Sequence, residues 1–127
     1  MSYHNSKPVN YSFDEAITKV TDELKKEGFG VLTEIDVKET LKKKLDVDFR
    51  KYKILGACNP TFAHKALQVE ETLGVLLPCN VVIQEKDDKV QVSIVNPIES
   101  MKSVGNEALN EIAGEIGAKL ERVLENL

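Results

Sequence analysis

The fold is decided by residues 81–95, VVIQEKDDKVQVSIV. A nearly continuous apolar run leads into a charged centre, Lys86-Asp87-Asp88-Lys89, and Val90, Val92 and Ile94 follow it at every second position. These two stretches predict two strands, and the polar centre predicts a tight hairpin turn. Strands joined by a tight turn pair antiparallel, so a mixed or mainly antiparallel sheet is expected.

The first hairpin strand is predicted to extend back through an apolar run, over Gly74 to Gln84, which Pro78 interrupts. A proline has no backbone N–H to donate, so Pro78 is expected at a bulge or a sheet edge. The second strand is expected to end near Asn96-Pro97.

Two amphipathic helices are predicted, one near the start of the chain and one after the hairpin. Ser12 and Glu15 have capping-box spacing, and apolar residues follow at helical spacing as far as Leu24. A second stripe predicts a long helix from about Asn106 to Asn126, in which Gly114 and Gly117 lower the intrinsic helicity.

The middle of the chain alternates strands and short helices. Strands are predicted over Gly30 to Val37 and Tyr52 to Ala57, with helices from Lys38 to Leu45 and after Asn59-Pro60. A weak edge strand is expected near Val9. The predicted order is β-α-β-α-β-α-β-β-α in a single α+β domain, residues 1–127, with the sheet packed against the helices.

Composition excludes several classes of protein. Of the 127 residues, 42% are hydrophobic and 30% charged, as in ordinary globular proteins. The net charge of −4 argues against nucleic-acid binding, which needs a basic face. No apolar run approaches the ~20 residues of a membrane span. Two cysteines and no export signal in the sequence predict free thiols and a cytoplasmic location.

The segment Gly56-Ala57-Cys58-Asn59-Pro60 is the strongest candidate site. It places Cys58 where a strand leads into a helix, and the partial positive charge of a helix N-terminus favours a thiolate. His64 lies one turn further on, within reach of the turn. Cys79 approaches Cys58 only if their strands are neighbours. The alternative is that both cysteines are buried hydrophobes, a common fate of free cysteine.

Two acids form a second candidate feature. Glu34 and Asp36 share one strand face, where paired carboxylates can act as acid and base or bind a cation. The alternative is a solvated strand surface on which Asp36 caps the next helix. The sequence has no C-x-x-C motif and no close Cys/His cluster, so no metal or cofactor is assigned.

Several blocks occur in order along the chain: Phe29-Gly30-Val31-Leu32, Ile54-Leu55-Gly56-Ala57-Cys58-Asn59-Pro60, Gly74-Val75-Leu76-Leu77-Pro78-Cys79-Asn80-Val81-Val82 and Asn96-Pro97. Together they resemble the family catalogued as domain of unknown function 302, over about Tyr11 to Leu124. The resemblance implies a small α+β fold, with the sheet curled around helices, and homodimers. It implies no reaction.

Two hypotheses of function remain open at this point. In the first, Cys58, Cys79, Asn59 and His64 line a cleft for a small molecule or a metal, with Glu34 and Asp36 at its rim. In a redox version of it, Cys58 is the attacking thiol and Cys79 the resolving thiol. In the second, the chain is a non-enzymatic homodimeric interaction module and both cysteines are structural. Its contact surface is then a sheet edge or the small-residue face of the last helix.

Overall fold

The computed structural model describes residues 2–127; Met1, which the predicted domain includes, lies outside the described residues. The chain forms five strands and five α-helices. In order they are β1 (His4–Val9), α1 (Phe13–Lys26), β2 (Gly30–Asp36), α2 (Val37–Leu45), β3 (Tyr52–Cys58), α3 (Pro60–Val69), β4 (Cys79–Lys86), β5 (Lys89–Val95), α4 (Pro97–Ser100) and α5 (Ala108–Glu125).

The strands form one sheet in the order β1-β5-β4-β3-β2, and all four neighbouring pairs run antiparallel. The β4–β5 hairpin turns at Asp87 and Asp88, whose φ angles are 54° and 64°. Positive φ at both central residues is typical of a type I′ turn, which matches the twist of paired strands. The predicted α+β class and antiparallel sheet are confirmed.

The strand predicted from Gly74 is wrong at its start. Leu73–Leu76 form a 3₁₀ turn, and β4 begins only at Cys79. Pro78 therefore precedes the strand, after a cis Leu77–Pro78 peptide bond, and does not interrupt the ladder. An apolar run alone does not distinguish a strand from another local conformation such as a 3₁₀ turn, which explains the error.

The core lies between one face of the sheet and helices α1 and α5. The sheet contributes Leu55, Val81, Ile83, Val92 and Ile94 to it, and the helices contribute Val20, Leu24, Ile116, Leu120 and Val123. All of these are almost completely buried. This face supplies most of the apolar burial that stabilises the domain.

The helix boundaries follow from capping. Ser12 and Glu15 form the predicted capping box, with hydrogen bonds of 3.1 and 3.2 Å between each side chain and the other residue's backbone N–H. Asp36 Oδ1 accepts the N–H of Glu39 at 3.0 Å and so starts α2, as expected. The short helix α4, capped by Asn96, was not predicted. Over residues 2–127, the helices lack the combination of length and apolar character that a membrane crossing requires.

The small-residue face of α5 is partly covered within the chain. Gly117 is buried, and a Cβ built on it would lie 3.4 Å from Ile98 Cδ1 of α4. The small residue therefore makes room for a side chain of the same molecule. This packing removes Gly117 from the surfaces that a second copy could contact.

Candidate functional site

The two cysteines lie on neighbouring strands. Cys58 ends β3, and Cys79 begins β4 directly opposite Ala57 in the antiparallel register. Cys58 is thus one residue away from the strand partner of Cys79. The condition that the sequence set for a thiol pair, adjacency of the two strands, is met.

Both cysteines also line one small cavity, of about 30 Å³, between the sheet and the start of α3. Its walls are mostly apolar: Phe29, Ala57, Ala63, Ala66, Leu77, Pro78, Met101 and Ile116, with Asn59. About 10–15 Å³ is enough to hold one water molecule. The cavity therefore admits a molecule of one or two heavy atoms and is too small for an organic metabolite.

The two thiols differ in environment. Cys79 is buried, and Cys58 is half-buried. Burial, with a smaller contribution from the nearby Cys58, raises the pKa of the Cys79 thiol to about 11. Cys79 is thus a neutral thiol at physiological pH, because the low-polarity surroundings disfavour its thiolate. Of the pair, Cys58 is the more exposed to solvent.

Asn59 holds the turn between Cys58 and α3. Its Oδ1 accepts the N–H of Phe62 at 3.4 Å, which caps the helix, and its Nδ2 donates to the carbonyl of Glu27 at 3.3 Å. Both ends of the amide are therefore occupied. Asn59 lines the cavity, but its polar atoms serve the fold.

The other predicted ligands lie elsewhere. His64 is exposed on α3 and does not line the cavity, so the structure does not group it with the cysteines. Leu67, on the same helix, is 40% exposed, whereas Ala66 is buried. Only a narrow stripe of α3 faces the protein interior, and the His64 side chain lies outside this stripe.

Glu34 and Asp36 are also separate from the thiols. They share one strand face as predicted, but Glu34 lies 3.9 Å from Lys53 Nζ and Asp36 caps α2. Asp36 borders a groove of about 550 Å³ beside α2 that contains neither cysteine. Within residues 2–127, no three His, Cys, Asp or Glu side chains come together in a way that could hold a metal ion.

A second feature, which the sequence did not reveal, is the sheet face opposite the core, here called the open face. Its strand residues, as the register places them, are His4, Ser6, Pro8, Thr33, Ile35, Tyr52, Ile54, Gly56, Asn80, Val82, Gln84, Gln91, Ser93 and Val95, with Gly30 and Cys58 at the end of β2 and β3 and Lys86 and Lys89 at the hairpin end. Of these described residues, only Gly56 is buried. Helices thus cover the sheet on one side only.

The open face is polar at its centre and, apart from Lys86 and Lys89, carries no Asp, Glu, Lys or Arg among the residues just named, in a chain that is 30% charged. Lys86 and Lys89 lie at its margin, at the hairpin end, and Arg50 lies beside Tyr52. A groove of about 430 Å³ runs over the middle of this face. The sequence carries one signal of this face: no charged residue stands at every second position of 80–84 and 91–95.

Side chains in this groove are oriented by hydrogen bonds. Ser6 Oγ and Ser93 Oγ lie 2.7 Å apart, and Ser6 Oγ lies 2.9 Å from His4 Nδ1. Arg50 Nε donates to Gln84 Oε1 at 2.9 Å. These contacts cross from β1 to β5 and from the loop before β3 to β4. They fix the orientation of several polar groups of the open face.

The fold and these two features define a small α+β domain with one antiparallel sheet, helices on one side of it and an open face on the other. The family described as "Domain of unknown function DUF302" matches residues 5–127. The chain belongs to this family, as the sequence resemblance indicated. Among curated proteins, none matches it.

The fold is shared with a solved structure, the uncharacterised conserved DUF302 protein from Bacillus stearothermophilus. The two are 31% identical, with a TM-score of 0.93, and the match covers 99% of this chain and 98% of the other. The similarity extends over the whole domain. It establishes the fold and the family and brings no activity with it.

Proposed function

We propose that this chain is a homodimeric interaction module and that two copies associate through the open face of the sheet. The observation that carries this proposal is the absence of charge from the centre of that face. A solvated sheet face in a chain with 38 charged side chains, 17 basic and 21 acidic, would be expected to carry some of them. Depletion of charged residues is instead typical of the centre of a protein interface.

Charge also favours a second copy of the chain as the partner. Each copy carries a net charge of −4, so most surfaces of two copies repel each other. The open face is the part of the sheet where two copies can approach without bringing carboxylates together. Lys86 and Lys89 border the neutral centre at the hairpin end, where they contribute charged groups to the rim of the proposed interface.

The size of the face is adequate for such contact. Five strands about 4.8 Å apart and about six residues long give a flat footprint of roughly 500 Å². Side chains that project from a pleated face have more accessible area than its footprint. Stable pairs bury about 800 Å² on each partner, so the face approaches what a dimer of modest affinity needs.

Sedimentation equilibrium tests the proposal. The wild-type chain is expected at twice the 14.2 kDa of one copy. Ser93→Lys places an ammonium group at the centre of the open face, opposite the same group of the second copy, and should give monomers. Ser103→Lys, at an exposed serine outside the sheet, is the matched control and should leave the dimer intact.

Two outcomes would reject this interface. A wild-type chain that remains monomeric at about 100 μM, where micromolar affinities are saturated, would exclude a stable dimer. A Ser93→Lys variant that still sediments as a dimer would place the contact on another surface. Far-UV circular dichroism of each variant shows whether the fold itself is retained.

A second candidate function is a thiol site at Cys58 and Cys79. The observation that favours it is that the two cysteines, on adjacent strands, line one cavity, with Cys58 the more exposed of the two. The size of the cavity supports reaction with a very small molecule and not the binding of an organic ligand. A metal version has less support, because two sulfur ligands without a third group do not complete a zinc site.

Alkylation kinetics test this second candidate. In the Cys79→Ala variant, Cys58 is the only thiol, so its rate of reaction with iodoacetamide can be followed against pH without interference. A rate at pH 7 above that of free cysteine is expected if Cys58 is a reactive thiol. A rate equal to or below that of free cysteine would leave both cysteines as packing residues.

A further inference from the structure

Tyr3, just before β1, is an exposed aromatic side chain at the margin of the open face. Of the three tyrosines and four phenylalanines, all of them within residues 2–127, only Tyr3 is exposed, with 71% of its surface accessible to solvent. Its ring borders the groove of about 430 Å³ that runs over the middle of that face. An aromatic ring in water gains free energy when a partner covers it, so this position invites a contact.

The backbone at Tyr3 is held in place although the ring is exposed. The carbonyl oxygen of Tyr3 accepts the N–H of Asn96 at 2.7 Å, and Asn96 Nδ2 donates to the carbonyl of Ser2 at 3.3 Å. The ring packs edge-on against the imidazole of His4, with 4.6 Å between the ring centroids. A side chain that is already ordered loses little further freedom when a partner covers it, so its burial contributes more of its free energy to binding.

The groove offers both apolar and polar contacts to a tyrosine. Val82 and Val95 contribute apolar surface to it, and the exposed amides of Asn80 and Gln91 contribute donors and acceptors. A phenol ring packs against the valines, while its hydroxyl group can both donate and accept a hydrogen bond. None of these four side chains is charged, so a ring that enters the groove displaces no water from an ion.

We propose that Tyr3 is the anchor of the homodimer: the ring of each copy enters the groove on the open face of the other copy. This inference rests on the proposed dimer and names the side chain on which its affinity depends most. The contact is reciprocal, as the two-fold symmetry of a homodimer requires, because each copy supplies one ring and one groove. The ring then lies over the middle of the partner's face, where the residues that dominate binding usually cluster.

The area of the interface supports this role. The flat footprint of the open face is roughly 500 Å², whereas stable pairs bury about 800 Å² on each partner. A tyrosine that becomes fully covered buries about 150–250 Å². Because 71% of Tyr3 is still accessible, most of that area remains to be buried. The ring therefore supplies a large part of the difference between the face alone and a stable interface.

Sedimentation equilibrium over a range of concentrations measures the dissociation constant of each variant. Tyr3→Ala should raise it by about 30-fold or more, the effect expected for an interface hot spot. Tyr3→Phe keeps the ring and should raise it much less. Val75→Ala, at an apolar side chain that is 87% exposed in the 3₁₀ turn outside the sheet, is the matched control and should leave it unchanged.

Nitration of tyrosine by tetranitromethane reports on the ring itself. The wild-type chain is treated well below and well above its dissociation constant, and mass spectrometry of a digest quantifies each site. Nitration of Tyr3 should fall by about fivefold or more in the dimer, because a covered ring excludes reagent as it excludes water. Tyr11, which borders a groove beside α1, is the internal reference and should react equally in both samples.

The results separate this anchor from the dimer itself. A wild-type dimer whose dissociation constant is unchanged by Tyr3→Ala would retain the dimer and reject Tyr3 as its anchor. A weakened Tyr3→Ala dimer with undiminished nitration of Tyr3 in the wild-type dimer would also reject it, since the ring would then act without being covered. A monomeric wild-type chain would reject both. Far-UV circular dichroism confirms that each variant is folded.

Discussion

Gly56 and Pro78 are packed so closely that a Cβ on the glycine would lie 2.7 Å from Pro78 Cγ. The same Cβ would also collide with Thr33 Oγ1, on the other side of β3. At Gly56, therefore, Pro78 from the chain before β4 and Thr33 from β2 both pack against β3 on the open face. The absence of a side chain there, and not a special backbone angle, makes this packing possible.

Gly56→Ala should therefore destabilise the fold by about 1–3 kcal/mol, the usual cost of overpacking a tight site. Urea unfolding at neutral pH measures this change in the free energy of unfolding. Gly30→Ala is the matched control, since a Cβ at Gly30 meets nothing within 4 Å. If the two variants are equally stable, the packing around Gly56 is looser than described.

Lys7 connects strand β1 to the C-terminal end of α5 through hydrogen bonds. Its Nζ donates to the carbonyl oxygens of Leu124, Glu125 and Leu127, at 3.3, 3.2 and 2.8 Å. An ammonium group at a helix C-terminus satisfies unpaired carbonyls and the helix dipole, so Lys7→Met should cost about 1 kcal/mol.

The loss should be local to the end of α5. Amide hydrogen exchange of its last turn is expected to accelerate in Lys7→Met, while the β4–β5 hairpin keeps its protection. Lys44→Met, at an exposed lysine of α2, is the control and should match the wild type. Uniform acceleration over the whole chain would show that Lys7 acts on global stability and not as a cap.

Asn59 makes two contacts that substitutions can separate. Asn59→Ala removes both the cap of α3 and the hydrogen bond to Glu27, and should destabilise by about 1–2 kcal/mol. Asn59→Ser keeps an acceptor for the cap and loses the bond to Glu27, so its loss of stability should be smaller. Thermal unfolding compares the two, and a serine variant no more stable than the alanine variant would show that the cap contributes little.

Cys79 makes stability depend on pH. Burial raises its pKa to about 11 in the folded chain, whereas the ordinary value is 9.0. The unfolded chain therefore releases this proton first as pH rises, so the contribution is fully present below pH 9.0 and is lost as pH approaches 11. A shift of this size corresponds to about 2–3 kcal/mol.

Other groups titrate in the same range, so the comparison is with a variant. Urea unfolding of the wild type and of Cys79→Ala at several pH values between 8 and 11 gives the difference between them. The stability of the wild type should fall more steeply with pH than that of the variant. Parallel curves would mean that the thiol at position 79 is not buried in the way described.

Local patterns in the sequence predicted the elements whose determinants are also local. The capping box at Ser12 and Glu15, the Asp36 cap and the turn around Asp87 and Asp88 each depend on a few consecutive residues, and each was confirmed. The strand start near Gly74 failed because an apolar run is compatible with a 3₁₀ turn as well as with a strand. The short helix α4 was not predicted for a similar reason: a single helical turn is too short to show a periodic pattern of apolar residues.

The residues of the candidate site were likewise predicted correctly only where local sequence determines their position. The helix start at Asn59-Pro60 placed Cys58 at the beginning of α3, and Cys79 was expected nearby only if two strands were neighbours. Sequence spacing also suggested His64 as a third member, but its position around the helix axis points it to solvent. Which side of a short helix faces the sheet depends on packing against α5, which is remote in the sequence.

The hairpin at residues 81–95 was determined by the sequence alone, because alternation and turn chemistry act between near neighbours. Which strands then became neighbours, and which face of the sheet the helices covered, was decided only by the tertiary structure. Both depend on burying the apolar stripes of α1 and α5 against the same sheet face, a choice made between segments far apart in the chain. That choice made the strands of Cys58 and Cys79 neighbours and left the other face of the sheet open, with no charged residue at its centre.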